Sequence, residues 1–147
     1  MNNQQIVRCG ELLVQYKLLL LGIESSPLYT GSGIDLVAYS SRNRKAFTVQ
    51  VKTNESPKPS GDKGELSLSW WIPEDCPTDL LAFVDLSSNS VWLFSMGEIT
   101  KYSQQQYRGR HHFYFYVDPT AKTKAGQFTH KLDFIQFIIE RRALVFF

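Results

Sequence analysis

Two adjoining stretches decide how this chain is read: Gly33-Ile34-Asp35-Leu36-Val37-Ala38-Tyr39 and Ala46-Phe47-Thr48-Val49-Gln50-Val51-Lys52-Thr53. Both are rich in β-branched and aromatic residues, and Ser40-Ser41-Arg42-Asn43-Arg44-Lys45 between them is turn-like, so together they predict a β-hairpin. The side-chain period of two puts Gln50 and Lys52 on one face of the second strand and Val49 and Val51 on the other. Pairing then brings Asp35 beside Gln50 and Lys52. An acid, an amide oxygen and an ammonium converge there, and such groups can hold a divalent cation and a phosphate together.

Upstream of the hairpin, apolar residues recur at helical spacing from Gln4 to Leu21, with Ile6, Cys9, Leu13, Tyr16 and Leu20 on the expected buried stripe. Asn2 or Asn3 is suited to cap this helix and Gly22 to end it. Its polar side carries Arg8, Glu11, Gln15 and Lys17. Ile23 to Tyr29 reads as a short extended edge segment. Downstream, Ser56 to Gly64 is a Pro/Gly/Ser-rich loop of a length that is often functional.

Glu65 to Trp70 alternates as a strand, and Leu80 to Asp85 is a nearly unbroken apolar run, as expected for a strand covered on both faces. Val91 to Phe94 returns as its neighbour. Met96 to Gln106 is expected to form a short helix, His112 to Val117 a strand and Asp118 to Phe128 a loop. A last helix starts near Thr129 and buries Leu132, Ile135, Ile138 and Ile139. Phe146-Phe147 is apolar enough to require burial inside the fold or at a subunit interface. Helix, strands, then helix predicts an α/β (α+β) fold with a central mixed β-sheet flanked by helices.

A length of 147 residues fits one domain, 1–147, with a core large enough to fold unaided. The net charge of +2 does not by itself argue for nucleic acid. Cys9 and Cys76 lack metal-ligand spacing and make no disulfide framework, which favours a reducing, cytoplasmic setting. No signal peptide is evident, and Leu18-Leu19-Leu20-Leu21 is too short to span a bilayer, so no membrane partner is expected. A Gly-x-Ser-x-Gly elbow and a Walker loop are both missing.

Phosphodiester hydrolysis needs a cation to polarise the phosphate, oxygen ligands to hold that cation, and positive charge to offset what develops on the phosphorus oxygens. Asp35 offers a hard ligand, Gln50 a neutral amide oxygen and Val51 its backbone carbonyl. Lys52 can face the phosphate or orient water, and Glu11 can reach a metal-bound water from the helix. Each also has an ordinary reading: Asp35 as a turn residue, Gln50 and Lys52 as the solvated face of an edge strand, Glu11 as a solvated helix residue.

The order of these residues resembles the PD-(D/E)xK nuclease superfamily, whose core has a glutamate on the first helix, an aspartate at the start of a strand and (D/E)-x-K on the next. Glu11, Asp35, Gln50 and Lys52 occupy those places. Gly33 to Val37 followed by Val49 to Thr53 is similar to Holliday-junction resolvases and, with glutamine in the middle, to group I intron homing endonucleases of that superfamily. The likeness covers about the first third of the chain. Ile34 replaces the proline of the motif name, and Gln50 removes one negative charge from the metal site. The resemblance implies a restriction-endonuclease-like core, Mg²⁺ or Mn²⁺ as cofactor, DNA as substrate and a homodimer or higher homo-oligomer. The alternative is a nuclease fold without cleavage, serving as a nucleic-acid-binding or protein-interaction module.

Arg108-Gly109-Arg110-His111-His112 is the densest basic cluster, with Tyr107, Phe113, Tyr114 and Tyr116 interleaved. Basic and aromatic groups mixed in this way grip phosphates and stack on bases. Arg108, Arg110 and His111, with Lys45, Lys58 and Lys63 near the loops, are the candidate DNA contacts. His111 and His112, being adjacent on a strand, are expected to face opposite ways. Trp70-Trp71 reads as core or interface, with a ligand groove as the alternative.

Overall fold

The computed structural model describes residues 1–60 and 64–147. Asn2 opens the first helix, Asn3–Leu20 (α1), by accepting the Gln5 amide while Gln5 Oε1 accepts the Asn2 amide, a reciprocal cap with both distances 2.9 Å. Gly22, at φ 78°, releases the chain into an edge strand, Glu24–Pro27 (β1). The predicted hairpin follows as Leu36–Ser40 (β2) and Lys45–Asn54 (β3). Lys58–Ser60 (β4), Glu65–Pro73 (β5), Leu80–Asp85 (β6) and Ser90–Ser95 (β7) come next. Met96–Tyr102 (α2), Gln105–Tyr107 (β8), Arg110–Tyr116 (β9), a 3₁₀ segment Lys131–Phe137 and Ile139–Phe146 (α3) complete the chain.

Two sheets result. The first has strand order β1-β2-β3-β6-β7 and is mixed, because β3 and β6 run parallel while the other neighbours are antiparallel. The second has order β4-β5-β9-β8 and is antiparallel throughout. The connection between the parallel pair passes through β4 and β5, so the second sheet grows out of this crossover. Thr48 fixes the parallel pairing at its start: its amide and hydroxyl donate to Asp79 Oδ2 at 2.9 and 3.0 Å, and its Oγ1 accepts the Asp79 amide at 3.0 Å.

Every residue of β6 is buried. Leu80, Ala82 and Val84 join Val49, Val51, Val14, Leu18 and Ile139 in a core beneath α1 and α3. Leu81 and Phe83 face the other way, into an aromatic core shared with Leu68, Trp70, Phe113 and Phe115 of the second sheet and with Phe134 and Phe137. Trp70 stacks on Phe83 at 4.5 Å and Phe115 on Phe134 at 4.4 Å. Burying side chains of this size stabilises the fold by about 1.5–3 kcal/mol each. The central mixed sheet flanked by helices is therefore present, and a second sheet packs on the face opposite α1 and α3.

Several local expectations change. The helix buries Gly10, Val14 and Leu18, whereas Tyr16 and Leu20 are exposed. A Cβ at Gly10 would sit 1.8 Å from Thr53 Oγ1, so this glycine lets α1 lie close against β3. The helix expected over Met96 to Gln106 ends at Tyr102, and its tail becomes edge strand β8. The last segment is 3₁₀ before it is α. A period of three turns Phe134 and Phe137 inward and leaves Leu132 and Ile135 exposed. Thr129 does not cap it: the N-cap is His130, and Asp133 Oδ2 accepts both the Thr129 and His130 amides at 3.0 Å. Phe147 is buried inside the fold against Phe47, ring centroids 5.1 Å apart.

Candidate functional site

Asp35 lies one residue before β2, at the open end of the hairpin. Its amide donates to the Val49 carbonyl at 3.0 Å, and its Oδ2 accepts the Val51 amide at 2.7 Å. The carboxylate thus takes the place that a backbone carbonyl would fill if the β2–β3 ladder continued. The paired register begins at Leu36↔Val49, so Asp35 stands just outside the ladder beside Val49 and Val51 of β3, in the stretch whose Gln50 and Lys52 share one face. Val51 directs its amide toward the β2 edge, and the carbonyl of a strand residue points to the same edge, beside Asp35.

Burial pushes the Asp35 carboxyl above its ordinary value, the Val51 amide pulls it down, the charge of Glu11 adds to the rise and the Lys52 ammonium offsets part of it. Glu11 and Lys52 are therefore both close enough to act on Asp35 through space. Neither forms a direct ion pair with it among the described residues. Gly10 brings Glu11 to this position by letting α1 touch β3. The Glu11 side chain is 14% exposed and is held by Arg8, Nη1 to Oε2 3.1 Å.

Gln50 Oε1 accepts a hydrogen bond from Cys76 Sγ at 3.1 Å, and Cys76 lies 3.2 Å from Thr78 Oγ1. Arg8, Gly10 and Cys76 are site residues that the sequence reading missed. A glycine inside an otherwise good helix was the one usable signal, since it costs about 1 kcal/mol there and needs a packing reason. Both cysteines are free.

The candidate donors are the Asp35 and Glu11 carboxylates, which act on each other through space, with the Gln50 amide oxygen and the Val51 carbonyl as the further oxygens of this segment. All are oxygens, the set suited to Mg²⁺ or Mn²⁺ and poorly suited to softer metals. Among the described residues no three of His, Cys, Asp and Glu converge, so the site has two carboxylates where a third acid would be expected if position 50 were acidic.

The structure separates the expected DNA contacts. Lys58 is on β4, and Arg108 and Arg110 are on the β8–β9 hairpin. That hairpin reaches toward the site: the Gly109 carbonyl accepts the Glu74 amide at 2.9 Å, two residues from Cys76. Lys45 is at the closed end of the β2–β3 hairpin, about 17 Å along the strand from Gln50, and does not join the site. His111 is corrected: it is 2% exposed, faces inward and pairs through Nδ1 with Ser103 Oγ at 3.0 Å, so it is a structural residue. His112 faces outward, as the alternation required. Lys63 lies outside the described residues. No helix among the described residues is long and apolar enough to cross a membrane.

No family model and no curated protein sequence matches the chain. Among solved structures, the chain is similar to the bacterial homing endonuclease I-Ssp6803I, with a TM-score of 0.65 and 13% identity over 99% of this chain and 94% of that one. A second likeness, to MepB, has a TM-score of 0.28 at 10% identity over 86% of this chain and 87% of that one. At such identity the first comparison speaks for the fold, and this chain has a nuclease-like fold similar to that of a homing endonuclease.

Proposed function

We propose that the protein is a metal-dependent DNA endonuclease of the PD-(D/E)xK type, acting through Asp35, Gln50, Lys52 and Glu11. The observation that carries this reading is the convergence at one strand end. Asp35 is hydrogen-bonded to the Val51 amide, between Gln50 and Lys52, and Glu11 and Lys52 are both near enough to act on its charge. Asp35, Gln50 and the Val51 carbonyl would hold Mg²⁺ or Mn²⁺, which when bound supplies polarisation of the phosphate and a more acidic water.

The chain's own residues do the rest. Lys52 brings an ammonium to the phosphorus oxygens as negative charge develops on them, or orients the attacking water. Glu11 accepts hydrogen bonds from water on the helix side. Arg8 restrains Glu11 and Cys76 restrains Gln50, so that little reordering is needed when substrate arrives. Arg108, Arg110 and Lys58 would contact backbone phosphates. Leu12, Tyr16, Leu19 and Leu20 form an exposed apolar face on α1. That face supports a homo-oligomer, which would let two sites address two strands.

The test is cleavage of linear, supercoiled and branched DNA with Mg²⁺ or Mn²⁺ by wild type, Asp35→Ala and Lys52→Ala. Wild type should cut and both variants should not. Equal cutting by all three would eliminate the site. One observation favours a second reading, a binding module without cleavage: Gln50 brings no charge and its oxygen is already engaged by Cys76. DNA binding with no cutting under either metal would select it.

A further inference from the structure

The outer face of the second sheet carries a groove of about 460 Å³ that the candidate site does not use. It exists because β5 and β9 alternate. Trp70, Phe113 and Phe115 turn into the aromatic core, so Ser69, Trp71, His112, Tyr114 and Tyr116 turn out. Trp71 and His112, opposite each other in the ladder, stack with centroids 4.1 Å apart and planes 3° from parallel. Tyr114 follows at 5.2 Å from His112, and Tyr116 at 5.5 Å from Tyr114.

Polar edges accompany these rings. Ser69 Oγ is 2.6 Å from His112 Nε2, and Gln105 Oε1 is 3.5 Å from Nδ1. Burial lowers the pKa of His112, and these neighbours engage both of its ring nitrogens. The charges at the rim are positive: Lys58 lines the groove, and the Arg110 guanidinium lies 4.7 Å from the Trp71 ring centre. Among the described residues no carboxylate lines it.

The Tyr114 and Tyr116 rings beside the Trp71–His112 stack, the polar groups of Ser69 and Gln105 and the cationic rim match a nucleotide: base face, base edge and phosphate in turn. The volume falls in the range of small-molecule sites, about 300–1,000 Å³. The groove also meets the candidate site. Asn54, two residues beyond Lys52 on the same face of β3 and so about 7 Å along the strand, lines the groove and donates from Nδ2 to the Ser69 carbonyl at 3.0 Å.

We propose that this groove binds an unpaired nucleobase of the DNA, so that the protein prefers substrates with a bulged, branched or single-stranded nucleotide next to the bond addressed by Lys52. The proposal rests on DNA as the partner, and its binding test does not depend on cleavage. Binding of a fully paired duplex and of the same duplex with one unpaired 5-iodouracil nucleotide is compared in EDTA, for wild type, Tyr114→Leu and Tyr114→Phe. Wild type should bind the duplex with the unpaired base about tenfold more tightly. Irradiation should crosslink the iodouracil to Tyr114, Trp71 or His112. Tyr114→Leu should bring the ratio close to one, and Tyr114→Phe, which keeps the ring, should retain it. Equal wild-type affinity for the two duplexes, or crosslinking outside the groove, overturns the proposal. Preference for the unpaired base without cutting of any DNA supports the groove and rejects the nuclease reading. Cutting with no such preference does the reverse.

Discussion

The five-stranded and four-stranded sheets are made of similar residues but are covered differently. The first is buried beneath α1 and α3 on one face and against the aromatic core on the other, and the proposed site with Asp35, Gln50 and Lys52 lies at a strand end. The second buries Leu68, Trp70, Ile72, Phe113 and Phe115 and leaves its other face open, as a row of rings and small polar groups. A doubly covered sheet can present a few fixed groups at a point, which suits catalysis. A half-covered sheet presents an area, which suits recognition.

The sharpest way to break this division is to disarm the point alone. Lys52→Ala should lower DNA cleavage by about 100- to 1,000-fold while leaving the thermal unfolding midpoint near that of wild type. A loss of folding in step with activity would mean that Lys52 serves the sheet and not the chemistry. Next in size is the contact that brings helix and sheet together. Gly10→Ala should destabilise the protein by about 1–3 kcal/mol in urea, because the new methyl meets the Thr53 hydroxyl first and its Cβ and Cγ2 next. Combining it with Thr53→Ala should recover most of that loss, and additive losses would show that the two residues do not touch.

The two cores are joined by the ion pair between Arg142 of α3 and Glu98, which also caps α2 through Ser95. For Glu98, burial raises the pKa, but Arg142 and the Ser95 cap outweigh it and hold it below its ordinary value of 4.5. A depressed folded pKa gives stability that is present above that ordinary value and lost as pH falls through the lowered one. Arg142→Ala should therefore cost about 1–3 kcal/mol near pH 7. The gap from wild type should close as the medium is acidified below pH 4.5. A gap independent of pH would assign the effect to packing against Phe137 and Phe146.

The smallest effect has the opposite sign. A raised pKa at Asp35 means that ionising it costs the metal-free fold stability as pH rises through that value. Asp35→Asn, still able to accept the Val51 amide, should raise the unfolding midpoint by about 2 °C at neutral pH without metal. It should show no such gain below pH 3.8. A lower midpoint at pH 7 would mean that the carboxylate is stabilised where it stands.

How far these features were legible follows from what each depended on. The hairpin, with Asp35 beside the Gln50–Lys52 segment, needed only strand alternation and one pairing. The double covering of Leu80 to Asp85 was written in its unbroken apolar run. The stripe on α1 was misread because its deepest member, Gly10, has no hydrophobic signal; its value lies in being absent from the space that Thr53 fills. The last segment was misread because helical spacing favoured Leu132 and Ile135, while a 3₁₀ period turns in Phe134 and Phe137. Alternation said that His111 and His112 diverge but not which one faces in. That depended on Phe113 and Phe115 belonging to a core built from distant strands. Cys76 reaches Gln50 only through the β3–β6 crossover, which no local pattern encodes.

One consequence of the Asp35 carboxylate ending the β2–β3 ladder concerns how the site can be watched. The Val51 amide proton is tied to the group that would share its charge with a cation, so that peptide group is a built-in reporter. Its nitrogen and proton chemical shifts should move when Asp35 titrates or is ligated, and its exchange with solvent deuterium should change with them. Occupancy of the strand end could then be followed by resonance at one backbone position, with no nucleic acid in the tube and no product to count.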